Sequence, residues 1–196
     1  MIPLWGLVLA GGASRRMGQD KAALVYGGRP QLARAFGLVS PRTERSFVSL
    51  RPDQGDDPLR SGWPGITDMT GADGPAAGIL AAHDAYPDVA WLVLACDLPF
   101  LDEDSLDALI GARAAGCSAI AFRSEHDGVP EPLCTIWEPE ALARLRLQMA
   151  GGGGSLRRVL AAADVCVLSP RTPGALDNIN TPEERAEAVM RLADGG

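Results

Sequence analysis

The chain has 196 residues, 46% of them hydrophobic, enough to bury the core of one ordinary globular domain. Its 25 acidic and 18 basic residues leave a formal charge of -7, which disfavours non-specific attraction to nucleic acid or to an anionic membrane, since both require a basic surface. No apolar run reaches the roughly 20 residues needed to cross a bilayer and the start lacks the basic residues of a secretory signal, so a single cytoplasmic domain over 1–196, with no nucleic-acid or membrane partner, is expected.

Leu4 to Ala10 (LWGLVLA) is a continuous apolar run halted by Gly11-Gly12, the pattern of a strand buried on both faces in a mainly parallel sheet. Pro30 to Val39 reads as a helix with proline near its first turn, Ser46 to Leu50 as a short strand, and Ala76 to Tyr86 as an alanine-rich helix. Ala90 to Cys96 (AWLVLAC) repeats the buried-strand pattern and leads into a helix from about Glu103 to Ala115 that Asp102 can cap. Cys117 to Phe122 is strand again, Glu131 to Trp137 a further strand able to run antiparallel, and Glu138 to Met149 a helix. Gly151 to Gly154 reads as a connector into a helix capped by Ser155, Val165 to Leu168 as a last short strand, and Pro182 to Leu192 as a closing helix capped by Thr181. This alternation predicts an α/β fold: a doubly wound, mainly parallel, Rossmann-like sheet flanked by helices, with ligands outside the carboxyl ends of its strands.

Cys96, Cys117, Cys134 and Cys166 are widely spaced with no C-x-x-C pair, so buried free thiols are expected. His83 and His126 are not spaced as a metal pair, which leaves a zinc site or a histidine-based triad without support.

The segment that carries most chemistry follows the first strand: Leu9-Ala10-Gly11-Gly12-Ala13-Ser14-Arg15-Arg16-Met17-Gly18-Gln19-Asp20-Lys21. Gly11 and Gly12 let backbone approach phosphate oxygens and offer N–H donors, while Arg16 and Lys21 supply positive charge. Neither G-x-x-x-x-G-K-[ST] nor G-x-G-x-x-G fits, which removes support for kinase-like hydrolysis and for dinucleotide oxidoreduction. Asp97 ends the second apolar strand, where a carboxylate faces the ligand edge and offers a hard oxygen to Mg²⁺; the competing reading is a turn enforced by Pro99. Asp68 precedes Gly74-Pro75-Ala76-Ala77-Gly78, a helix entry whose small residues allow approach of a base or ribose. Asp177-Asn178-Ile179-Asn180-Thr181-Pro182-Glu183-Glu184 combines amides with a helix start, and Asn180 could orient a phosphate or a metal-bound water, although capping alone explains half of the pattern.

LAGGASRRMGQDKA, GPAAG, CDLPF and NINTPEE, in this order and spacing from Leu4 to about Ala193, resemble the molybdenum cofactor guanylyltransferases within the nucleotidyltransferase superfamily. The double glycine and the Asp20-Lys21 ending look more like the guanylyl branch than the cytidylyl branch, which tends to begin Ala-Ala-Gly. The resemblance implies that Leu9, Ala10, Gly11 and Gly12 contact GTP, that Lys21 contacts its phosphates, and that Asp68 and Gly78 help hold the nucleotide. It implies that Asp97 contacts GTP and Mg²⁺, that Arg16, Lys21 and Asp97 are the catalytic set, that Asn180 lies near the site, and that Glu131-Pro132-Leu133 borders the pterin pocket. Where the family often carries an asparagine near the end of its second core strand, this chain has Val48-Ser49-Leu50-Arg51. The expected reaction is transfer of GMP from GTP to the terminal phosphate of molybdopterin, with a monomeric enzyme and molybdoenzyme chaperones as candidate receivers of product. The rival readings are a pterin cytidylyltransferase, a sugar-phosphate nucleotidyltransferase, or a GTP-binding regulator that does no chemistry.

Overall fold

The computed structural model describes residues 2–12, 19–70, 74–152 and 155–194. Strand β1 (Leu4–Leu9) leaves the glycine-rich segment at its end; a hairpin of β2 (Val25–Tyr26) and β3 (Arg29–Pro30) turns on Gly27 and Gly28, both at positive φ, and leads into α1 (Gln31–Val39). Strands β4 (Ser46–Leu50) and β5 (Gly65–Thr67) follow, then α2 (Pro75–Ala85), β6 (Ala90–Ala95) and α3 (Glu103–Gly111). The chain closes with β7 (Ala119–Arg123), β8 (Pro130–Trp137), α4 (Pro139–Ala150), α5 (Leu156–Ala162), β9 (Val165–Leu168) and α6 (Pro182–Asp194).

Among the described residues, seven strands form one sheet in the order β5-β4-β1-β6-β8-β7-β9. Every neighbouring pair is parallel except those of β8, which runs against both β6 and β7. The alternation of side chains along β6 divides the core: Ala90, Leu92 and Leu94 pack with Leu32, Val39, Leu106 and Leu109, whereas Trp91 and Val93 pack with Ile79, Leu80, Leu142 and Leu145. Helices therefore cover both faces, and β1 and β6 need to be apolar at nearly every position. Their continuous runs are the direct result.

Several ends differ from the sequence expectation. The helix expected to reach Ala115 stops as α-helix at Gly111 and tightens into a 3₁₀ turn, Ala112–Ala115, closed by Gly116 at φ 78°. Strand β5 and the β2–β3 hairpin have no counterpart in the periodicity, because each strand is two or three residues long and owes its conformation to its neighbour. Gly153 and Gly154 of the glycine connector lie outside the described residues, and Ser155 caps α5 by accepting from Arg158 N. Two of the four expected free thiols are instead joined: Cys117 and Cys166 form a disulfide, brought together across 49 residues by the parallel pairing of β7 with β9. Cys96 and Cys134 are free and buried, and burial pushes the Cys96 thiol up to about 12, out of reach of thiolate chemistry.

Candidate active site

The chain moves outward from β1 to β4 and β5, then returns to place β6 on the other side of β1. Connections leave β1 and β6 in opposite directions, and such a switch point opens a crevice beyond the strand ends. A cleft of about 620 Å³ lies there, within the range of roughly 300–1,000 Å³ usual for small-molecule sites. Its walls are the residues at and just past the ends of the parallel strands: Leu9 to Gly12 after β1, Ser49 and Arg51 at β4, Asp68 after β5, and Ala95 to Asp97 after β6. The N-terminus of α2 adds Gly74, Pro75 and Ala77, while Leu133 at the start of β8 and Asn180 before α6 complete it.

One end of the cleft is ionic. Lys21 donates through Nζ to Asp97 Oδ2 at 2.9 Å and to Asn180 Oδ1 at 2.6 Å. The three side chains come from segments up to 159 residues apart; local caps hold the carriers of Lys21 and Asn180, and the Ile179–Asp97 backbone bond ties in the third. Asp20 accepts from Ala22 N at 3.0 Å and starts the short 3₁₀ turn that carries Lys21. Ile179 N donates to the Asp97 carbonyl at 3.3 Å, which ties the segment before α6 to the end of β6. Glu184 accepts from Asn180 N and Thr181 N while its own N–H donates to Thr181 Oγ1, a reciprocal cap that fixes Asn180 as it starts the helix. A small satellite cluster of Leu24, Tyr26, Ile179 and Ala188 packs the hairpin against α6 and joins the carriers of Lys21 and Asn180. Lys21 and Asp97 keep 17% and 21% of their side-chain surface exposed, so both are open to a ligand while largely shielded from water.

The opposite end holds a carboxylate that makes no ion pair among the described residues. Ser49 Oγ donates to Asp68 Oδ1 at 2.5 Å, and Asp68 is anchored by its own N–H to the Leu50 carbonyl at 2.7 Å. Burial pushes the Asp68 carboxyl above its ordinary range, opposed by the Ser49 hydrogen bond and by the charge of Arg51. Two glycines make room for it. A methyl on Gly11 would lie 2.9 Å from Asp68 Oδ2, and one on Gly78 would strike Ser49 Oγ and lie 2.9 Å from Asp68 Oδ1. The start of α2, opened by Gly74 at φ 68° with Pro75 in the first turn, lines the same cleft, and its helix dipole favours an anion there.

Leu9, Ala10, Gly11, Gly12, Lys21, Asp68, Asp97 and Asn180 are thus brought to one cavity. Gly78, expected to touch the nucleotide, is buried one turn into α2 behind Ser49 and Asp68, and its small size serves their packing rather than a ligand. Arg16 lies outside the described residues. Ser49 and Arg51, noted in the sequence only as part of the stretch where the family often carries an asparagine and given no role there, also line the cleft, and Arg51 Nη1 donates to the Gly11 carbonyl at 2.6 Å. Glu131, at the start of β8, is half-buried, and burial raises its carboxyl. It accepts from Leu133 N at 3.0 Å. Among the described residues no cluster of three or more His, Cys, Asp or Glu is arranged to hold a metal, so a cation at Asp97 would draw its remaining ligands from phosphate oxygens and water. A carboxylate has lone pairs enough to accept from Lys21 and still bind a cation, so this donor set fits Mg²⁺. Among the described residues no helix is long and apolar enough to cross a membrane.

Comparison with known proteins agrees with this geometry. A relative in Rhodobacter capsulatus, a molybdenum cofactor guanylyltransferase, is 34% identical over 192 residues, covering 95% of each chain. A molybdenum cofactor biosynthesis bifunctional protein of Synechocystis is 35% identical over 182 residues, 93% of this chain; the chain spans only 52% of that protein's length. The crystal structure of molybdopterin-guanine dinucleotide biosynthesis protein A from Archaeoglobus fulgidus shares the fold, with a TM-score of 0.80 and 24% identity over 97% of this chain and 99% of that one. The model of the MobA-like NTP transferase domain matches residues 6–167, which run from the middle of β1 into β9 and include every cleft residue named above except Asn180. With this match and the cleft at the switch point, the chain belongs to the MobA-like NTP transferase family and has the nucleotidyltransferase fold.

Proposed function

We propose that this protein transfers GMP from GTP to the terminal phosphate of molybdopterin, giving molybdopterin guanine dinucleotide and pyrophosphate. The observation that carries the reading is the Lys21–Asp97 pair, bridged to Asn180, at the switch point of a chain of this family. The relatives named as guanylyltransferases support guanine over cytosine and the pterin over a sugar phosphate.

The acceptor is already an anion, so no side chain has to become a nucleophile. A phosphate oxygen of the acceptor attacks the α-phosphorus of GTP, a new P–O bond forms, and the bond between the α-phosphorus and the bridging oxygen breaks, sending its electron pair out on pyrophosphate. What the protein has to supply is position and neutralisation of charge. Lys21 supplies a cation at the phosphates, and the start of α2 supplies a positive dipole end. Arg16 is assigned the same role as Lys21. Mg²⁺, bound through Asp97, would offset charge on the triphosphate oxygens. Asp68, at the far end of the cleft, is assigned to the guanosine, and Leu133 to the acceptor side.

The test is a transfer assay with purified molybdopterin and Mg²⁺, offering radiolabelled GTP and CTP in parallel. Guanylyl product with release of pyrophosphate is expected. Product from CTP alone would reverse the base assignment, and no product from either would remove the pterin as acceptor.

A further inference from the structure

Arg60, on the connection between β4 and β5, exposes none of its surface. A buried guanidinium is costly unless its charge and its donors are met, and here, among the described residues, its side-chain bonds lead to the glycine-rich segment or to a supporting carboxylate. It donates to the carbonyl of Ala10 from Nη2 at 2.7 Å and from Nε at 3.3 Å. It pairs with Asp20 through Nη2 to Oδ1 at 3.0 Å and Nη1 to Oδ2 at 2.7 Å. Asp57, three residues back, completes the set as a second anionic partner. Burial opposes the charge on Arg60, but Asp20 and Asp57 outweigh it and hold the group above its ordinary value.

Ala10 is where the chain leaves β1, and Asp20 is where it settles into the turn that carries Lys21. Everything between them belongs to the glycine-rich segment, so a single side chain joins its two stems. We propose that Arg60 is a positioning residue for nucleotide transfer: by clamping Ala10 to Asp20 it sets Gly11, Gly12 and Lys21 around the triphosphate before the nucleotide arrives. Groups such as the Ala10 carbonyl and Asp20 that are already held in place do not have to be ordered by the ligand, and that part of the ordering cost is removed from binding. The planar fork is essential, because a lysine ammonium cannot serve a carbonyl and two carboxylates in fixed directions. Arg51, which holds the Gly11 carbonyl from the same connection, extends the support to the next residue.

The inference rests on the proposed reaction, and the experiment separates the two. Wild type, Arg60→Lys and Asp57→Asn are compared for melting temperature, for kcat, and for KM toward GTP at saturating acceptor. Because the clamp acts on ground state and transition state alike, Arg60→Lys should raise KM at least tenfold with kcat within threefold. Asp57→Asn, which leaves the bonds to Ala10 and Asp20, should lower the melting temperature while keeping KM within twofold. Equal and small changes in KM for both variants would reduce Arg60 to a stabilising ion pair and overturn the proposal. Should Arg60→Lys fail to fold, Asp20→Asn keeps an oxygen for the Ala22 cap and breaks the ion pair; an unchanged KM there overturns the clamp equally. If the wild type transfers nothing, the reaction is wrong, and the Kd of methylanthraniloyl-GTP for the same variants then decides the clamp, with a tenfold rise for Arg60→Lys expected and an unchanged Kd sinking it.

Discussion

The two ends of the cleft stabilise a carboxylate in opposite ways. Asp97 has a cation 2.9 Å away and an amide beyond it, all three delivered by separate parts of the chain. Asp68 has a hydroxyl, two nearby glycines and a burial that works against its charge. At the first end the protein brings in partners; at the second it removes side chains. The first arrangement suits groups whose charge changes during reaction, because preorganised charge acts most on the transition state. The second suits recognition of a ligand that brings its own donors to a poorly solvated acceptor.

The comparison breaks most visibly at the ionic end. Lys21→Ala and Asp97→Asn should each lower kcat/KM by about 10²–10³-fold, the usual scale for loss of a group that neutralises developing charge. Melting temperatures should move by only a few degrees, and Asp97→Asn alone should raise the Mg²⁺ concentration for half-activity. An Asp97→Asn enzyme with an unaltered Mg²⁺ dependence would remove the metal from Asp97.

Asp68→Asn should act differently. The amide oxygen can still accept from Ser49, so packing is kept, while loss of a charged acceptor should weaken GTP binding by about 1.5–3 kcal/mol, read by titration calorimetry. Stability should not fall with it. Because the folded-state pKa of Asp68 is raised, its contribution is fully present below the ordinary carboxylate value of about 3.9 and is lost as pH rises through the folded value. Replacing it with asparagine should therefore flatten that part of the stability profile and leave the protein at least as stable at neutral pH. A melting curve that drops at pH 7 would contradict this.

Gly78→Ala sharpens the same end by crowding it. Overpacking against Ser49 and Asp68 should cost about 1–3 kcal/mol of stability, measured by denaturant unfolding, with a weaker hold on GTP as Asp68 shifts. The smallest effect is expected at Asn180, whose amide oxygen is one acceptor for Lys21: Asn180→Ala should lower kcat about threefold to tenfold, near 1 kcal/mol. A drop as large as that for Lys21→Ala would promote Asn180 to an equal partner.

What could be read in the sequence follows from how local each signal is. Strands β1 and β6 are covered on both faces, so their burial is written as unbroken apolar runs, and Asp97 stands out as the first charge after one of them. Thr181 and Ser155 announce their helices because a cap acts within three residues. Strand β5 does not, since only Ile66 of its three residues is buried and its pairing with β4 is what makes it a strand. The joining of Lys21 to Asn180, of Cys117 to Cys166 and of Arg60 to Ala10 and Asp20 depends on sheet order, which no local pattern encodes. The sequence marks Gly78 by its small size, and in the structure a side chain there would crowd Ser49 and Asp68.

The reversed direction of β8 carries a lesson for redesign. Leu94 of β6 lies opposite Cys134, so the beginning of β8, and with it the turn Ser124–Val129, sits at the same edge as the cleft. An engineer seeking to admit a bulkier acceptor would thus graft or lengthen the turn before β8, not the one after Trp137. Changes there would reshape one rim of the cleft while the carriers of Lys21, Asp97 and Asn180 kept their own anchors.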